Sequence, residues 1–167
     1  MVDQDNSGPL NPMDALEAVL PQVRQWAAQR HGKIGLMANI AALLFQVLNV
    51  NGSEVVWTGF YLIDEPERPL MLGPFQGPPV PPSLEWGQSV AGLAARERSV
   101  QLVHGVKSFS GYLSVVPNTR SEAAVPLVIE SRVVAVLDVQ SRKTDGLGVE
   151  ELAVMTDVAD ILTETWK

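Results

Sequence analysis

"EVVWTGFYLID", residues 54–64, is the segment on which the reading of the fold turns. Its β-branched and aromatic residues suit a pleated, half-buried strand. Side-chain alternation puts Trp57, Gly59 and Tyr61 on one face of that strand. "DEPERP" (64–69) then reads as a turn and "LMLGPF" (70–75) as a second strand, so the two form a hairpin. The same reasoning pairs "AAVPLVI" (123–129) with "RVVAVLDVQ" (132–140), joined through "ESR".

Outward from these hairpins the chain turns helical. A helix is predicted from about Pro12 or Met13 to His31, with Leu16, Val19, Leu20, Val23 and Trp26/Ala27 on one face and Gly32 as its stop. A second, from Ile34 to Leu48, is apolar nearly all round, which predicts burial or a shared surface with a second copy. "SVAGLAARERS" (89–99) reads as a short helix with Ser89 as N-cap, and "VQLVH" (100–104) as a short strand. Residues 105–122 are irregular, 142–148 form a loop, and "VEELAVMTDVADILTETW" (149–166) is an amphipathic final helix. The order α-α-β-β-α-β-β-β-α contains hairpins in place of regular βαβ units. It predicts an α+β fold, a largely antiparallel sheet flanked by helices. Residues 1–12 read as a flexible tail and 13–167 as a single domain.

The 167 residues carry a net charge of −7. That balance argues against nucleic acid or an anionic membrane as partner. No apolar run reaches the roughly 20 residues of a membrane span. The N-terminal "MVDQDNSGPLNPMD" lacks the basic and apolar regions of a signal peptide, which makes the cytoplasm the expected compartment. There is no cysteine, so disulfides, thiolate metal sites, cysteine nucleophiles and thiol redox cycling are all excluded. No phosphate-binding loop, dinucleotide fingerprint or zinc-ligand spacing is present, and neither cofactor nor metal is expected. His31 sits where a cation caps a helix C-terminus, and His104 reads as a surface residue.

Five segments in fixed order carry a more specific signal: "WTGFYL" (57–62), "LMLGPFQG" (70–77), "GQSVAG" (87–92), "SEAAVPL" (121–127) and "VVAVLDVQS" (133–141). Together they resemble the GAF domain family, and within it the free methionine-(R)-sulfoxide reductases. The resemblance covers about residues 34–165. It implies a GAF fold, and it implies that Glu122 and Asp138 hold a ligand's ammonium group while Trp57 and Tyr61 wall the pocket. Two carboxylates in a small cleft suit an amine through charge-assisted hydrogen bonds.

The departures from that pattern are equally specific. The family's three cysteines fall here on Pro81, Ala91 and Val115, the last being the nucleophile position. "GHIACD" has become "GYLSVV" (111–116), and the second aspartate of "LDIDS" has become Gln140. Thiol-dependent sulfoxide reduction needs a thiolate to attack sulfur and a second thiol to resolve the sulfenic acid. None of that chemistry is available to Pro, Ala or Val. The expectation is therefore a non-catalytic relative that binds an amino acid-like small molecule, with no catalytic residues. The alternative is a dimerisation module around a vestigial pocket. A cyclic nucleotide fits less well, since acidic residues repel phosphate. "GPPVPP" (77–82) stands where a mobile loop would carry one of the cysteines, and its four prolines predict a stiff segment instead.

Overall fold

The computed structural model describes residues 12–166 apart from positions 31, 67, 88 and 114. The tail at 1–11 and the capping role read for His31 lie outside the described residues. Three helices open the chain: α1 (Pro12–Glu17), α2 (Val19–Ala28) and α3 (Lys33–Val50). The single helix expected before Gly32 is thus divided at Ala18. Pro21 explains the division, because proline has no N–H for the Glu17 carbonyl and its ring clashes there. The chain stays helical on either side, with Ala18 N donating to Asp14 O at 3.0 Å.

The strands are β1 (Val55–Leu62), β2 (Leu70–Gln76), β3 (Ser83–Leu84), β4 (Gln101–Val103), β5 (Ser121–Ile129) and β6 (Arg132–Ser141). Helix α4 (Val90–Glu97) lies between β3 and β4, and α5 (Val149–Trp166) ends the chain. One six-stranded sheet has the order β3-β2-β1-β6-β5-β4, with every pairing antiparallel. Both expected hairpins are present. The second turns through Glu130 and Ser131, both at positive φ (48° and 67°), the geometry that matches strand twist in a two-residue hairpin.

β3 was not foreseen. The proline segment does not cross directly to α4: Pro82 O accepts from Leu72 N at 2.9 Å, and Ser83–Leu84 then extends the sheet edge. An edge strand is where proline is tolerated next to a ladder. Ser89 caps α4 as expected, its Oγ accepting from Gly92 N at 2.8 Å.

The sheet has two covered faces. On one, Phe60, Ala123, Val125, Leu127, Ala135, Leu137 and Val139 pack against α2, α3 and α5. Helix α3, the described helix long and apolar enough to cross a membrane, spends Met37, Ile40, Ala41, Leu44 and Leu48 on this core. On the other face, Trp57, Tyr61, Ala124 and Val136 meet Val90, Ala91, Ala94 and Ala95 of α4. Small residues let α4 approach this face closely, leaving room beside it for larger groups.

Candidate functional site

Strand register alone assembles the site. Trp57 and Tyr61 project from β1 toward the α4 side and stack, with ring centroids 5.4 Å apart and planes 18° from parallel. Trp57 also stacks on Phe75 of β2 at 5.5 Å. Gly59 between them makes this possible, since a Cβ there would collide with Phe75 Cβ and the Trp57 ring. Across the ladder, β6 sets Asp138 opposite Gly59 and Gln140 opposite Trp57, and β5 sets Glu122 opposite Gln140. All four residues singled out in the sequence share one face. Trp57, Tyr61 and Asp138 have no exposed surface and Glu122 retains 3%.

Two carboxyl groups buried side by side cannot both stay ionised cheaply. Burial, then the charge of Asp138 and a hydrogen bond to it, push Glu122 well above the ordinary carboxyl range; the Tyr112 hydroxyl partly opposes this. Burial raises Asp138 as well, to about 6, against hydrogen bonds from Glu122 and Gln140 that favour its charged form. The pair therefore shares a proton that resides on Glu122 and points at Asp138. Desolvation, then the charges of Asp138 and Glu122, raise Tyr61 far above the usual phenol value, so its hydroxyl keeps its proton.

Three further side chains complete the network, none of them assigned a role from the sequence. Tyr112 donates its hydroxyl to Glu122 Oε2 at 2.8 Å. Gln140 donates Nε2–H to Asp138 Oδ2 at 2.8 Å, and the Thr119 hydroxyl lies 2.9 Å from Gln140 Oε1. Gln140 thus replaces a third carboxylate by a neutral group that orients Asp138. The sequence pattern marked both 112 and 140 as departures, yet gave no sign that these side chains turn inward.

Between Val106 and Arg120, Phe109, Tyr112, Val115 and Val116 pack over the site. The segment is tied at its ends by Val106 N to Arg120 O and Arg120 N to Ser141 O, both 2.8 Å, and contains Gly111 at φ +71°. Among the described residues, Trp57 Nε1, Tyr61 OH and Asp138 Oδ1 on this face have no hydrogen-bond partner. Buried polar atoms are seldom left so, and these converge on one place. Two donors beside two carboxyls can take a ligand bearing both an acceptor oxygen and an amino group. Among the described residues no cluster of three or more His, Asp or Glu side chains could hold a metal.

The three cysteine positions of the family pattern fall at different depths. Ala91 is buried in the first turn of α4 and Val115 is half-buried; both pack in the core that contains Trp57 and Tyr61. Pro81 is exposed on the proline segment. His104 is a surface residue as read, its Nδ1 3.2 Å from Asp145 Oδ1.

Comparison with known proteins bears on the family and the fold. The GAF domain family profile matches residues 33–165. The chain is 30% identical over 146 residues to GAF domain-containing protein A of Dictyostelium discoideum, covering 87% of this chain and 89% of that protein. It is 33% identical over 108 residues to the free methionine-R-sulfoxide reductase of Escherichia coli, covering 65% and 62%. The structure of free methionine-R-sulfoxide reductase from Neisseria meningitidis in complex with its substrate superposes with a TM-score of 0.85 at 28% identity, over 96% of this chain and 92% of that one. With its sheet, its α4 face and its ordered segments all accounted for, the chain belongs to the GAF domain family, related to the free methionine-R-sulfoxide reductases but without a cysteine.

Proposed function

We propose that this protein is a non-catalytic GAF domain that binds a small, amino acid-like ligand and serves as a cytoplasmic regulatory or sensor module. One observation carries the reading: in a chain without cysteine, the Glu122–Asp138 pair lies beside the unpartnered Trp57 Nε1 and Tyr61 OH. The ligand's ammonium group displaces the shared proton and takes up both carboxylates. Trp57 and Tyr61 supply donors to its carboxylate or sulfoxide oxygen, and their rings enclose its side chain. Tyr112 leaves Glu122 as the ligand arrives.

Sulfoxide reduction fails on chemical grounds. A hydroxyl-bearing side chain cannot replace the thiolate, because its alkoxide is scarce at neutral pH and an S–O adduct is not recycled by thiols. The test combines a thermal-shift screen of amino acids and methionine sulfoxides with a coupled assay using NADPH, thioredoxin system and free methionine sulfoxide. Stabilisation by members of the panel without turnover is expected. Turnover above a protein-free blank overturns the non-catalytic reading, and a silent panel overturns the ligand.

The second reading is a homodimer, supported by Ile34 and Val50 at the two ends of α3, which remain 61% and 55% exposed while the helix's other large apolar residues are buried or half-buried. Light scattering that shows a monomer at high concentration removes it.

A further inference from the structure

A cleft of about 520 Å³ lies on the α4 side of the sheet, and none of Trp57, Tyr61, Glu122 or Asp138 lines it. Its volume is in the range of small-molecule sites. Its wall is built from residues far apart in sequence: Ile63 past the end of β1, Trp86 after β3, Ala95 of α4 and Val133 of β6. Trp86 is half-buried, and its indole Nε1–H donates to Arg68 O, which fixes the ring in the wall.

Three arginines converge on this wall: Arg96 from the last turn of α4, Arg98 from its C-cap and Arg132 from the start of β6. One carboxylate, Glu85, lines the same cleft. Arg96 is paired with the adjacent Glu97 at 3.1 Å, while Arg98 and Arg132 make no ion pair among the described residues. The chain has only twelve basic residues against nineteen acidic ones, so Arg98 and Arg132 beside a single lining acid, Glu85, stand against its overall charge. Backbone geometry sets where these two arginines leave the chain. Arg98 occupies the left-handed region at φ 53°, and Arg132 directly follows the tight Glu130–Ser131 turn.

We propose that this cleft binds a small flat apolar molecule bearing one oxyanion, a carboxylate or a phosphate monoester. The Arg98 and Arg132 guanidinium groups take the oxyanion in forked hydrogen bonds, and Trp86 with Ile63, Ala95 and Val133 takes the ring. The site is separate from the amine-binding face proposed above and does not depend on it.

Calorimetric titration with 2-naphthoate, 1-naphthyl phosphate, 2-naphthol and inorganic phosphate tests the assignment. Both naphthyl oxyanions are expected to bind, with naphthol and inorganic phosphate at least tenfold weaker; the stronger of the two identifies the oxyanion. The R98N/R132Q variant should lose at least tenfold in affinity. Asparagine tolerates the left-handed backbone at 98, so the fold is kept, as a circular dichroism melt will register. R98K/R132K keeps the charge without the fork and should fall between. The E122Q variant should bind as the wild type does. Equal binding of naphthol, wild-type affinity in R98N/R132Q, loss of affinity in E122Q, or no binding by either oxyanion at millimolar concentration overturns the proposal.

Discussion

Asp138 holds its proton up to about pH 6, where the ordinary value is 3.8, and Glu122 is shifted in the same direction. Both groups bind protons more tightly folded than unfolded. The Asp138 contribution to stability is therefore complete below about pH 4 and is lost as the pH rises through about 6, while that of Glu122 is lost over its own raised range. The Asp138 shift alone corresponds to about 3 kcal/mol. In a protein of this size that is about 5–10 °C in unfolding temperature. The expected outcome is a melting temperature that falls between pH 4 and pH 7 in the wild type and falls less steeply in D138N, where buried Glu122 still titrates. A wild-type profile that rises over this window contradicts the shared-proton account. The residue types at 122 and 138 were readable from sequence, as was their match to the family pattern. That they bury together and compete for a proton follows only from the β5–β6 register, which no local pattern reports.

At the scale of elements, the aromatic wall depends on β1 and β2 approaching closely at Gly59. G59A should push Phe75 and Trp57 apart, with loss of about 2–4 kcal/mol of stability and of near-ultraviolet dichroism from the stacked rings. Wild-type dichroism in that variant would show the stack does not need the glycine. The covering segment, 105–120, competes with ligand through Tyr112 on Glu122. Y112F removes that bond without changing the ring, and the expected result is a severalfold lower Kd for the amino acid-like ligand in a calorimetric titration; weaker binding would instead make Tyr112 part of the binding surface. The composition of the proline stretch pointed to stiffness and not to its return as β3, because Ser83–Leu84 is too short for a periodic signal. The break at Ala18 was signalled by Pro21, four residues after Glu17 within the expected helix, where the apolar periodicity ran straight through it.

For the whole molecule, fold and family were legible because the strands carry strong local chemistry and the helices clear periodicity. The two polar sites differ in this respect. The carboxyl pair lies on strands with recognisable motifs, whereas the arginine cleft joins residues 63, 86, 98 and 132 through tertiary structure alone. In the function proposed above, a cysteine-free GAF domain keeps the Glu122–Asp138 pair to bind an amine. Calorimetric titration of wild type and the E122Q/D138N variant with free methionine sulfoxide at pH 7 tests this most directly. The variant buries less charge and should fold at least as well. Saturable binding to the wild type, weakened at least tenfold in the variant, is the predicted result. Equal isotherms for the two proteins, or no heat from the wild type, would contradict it.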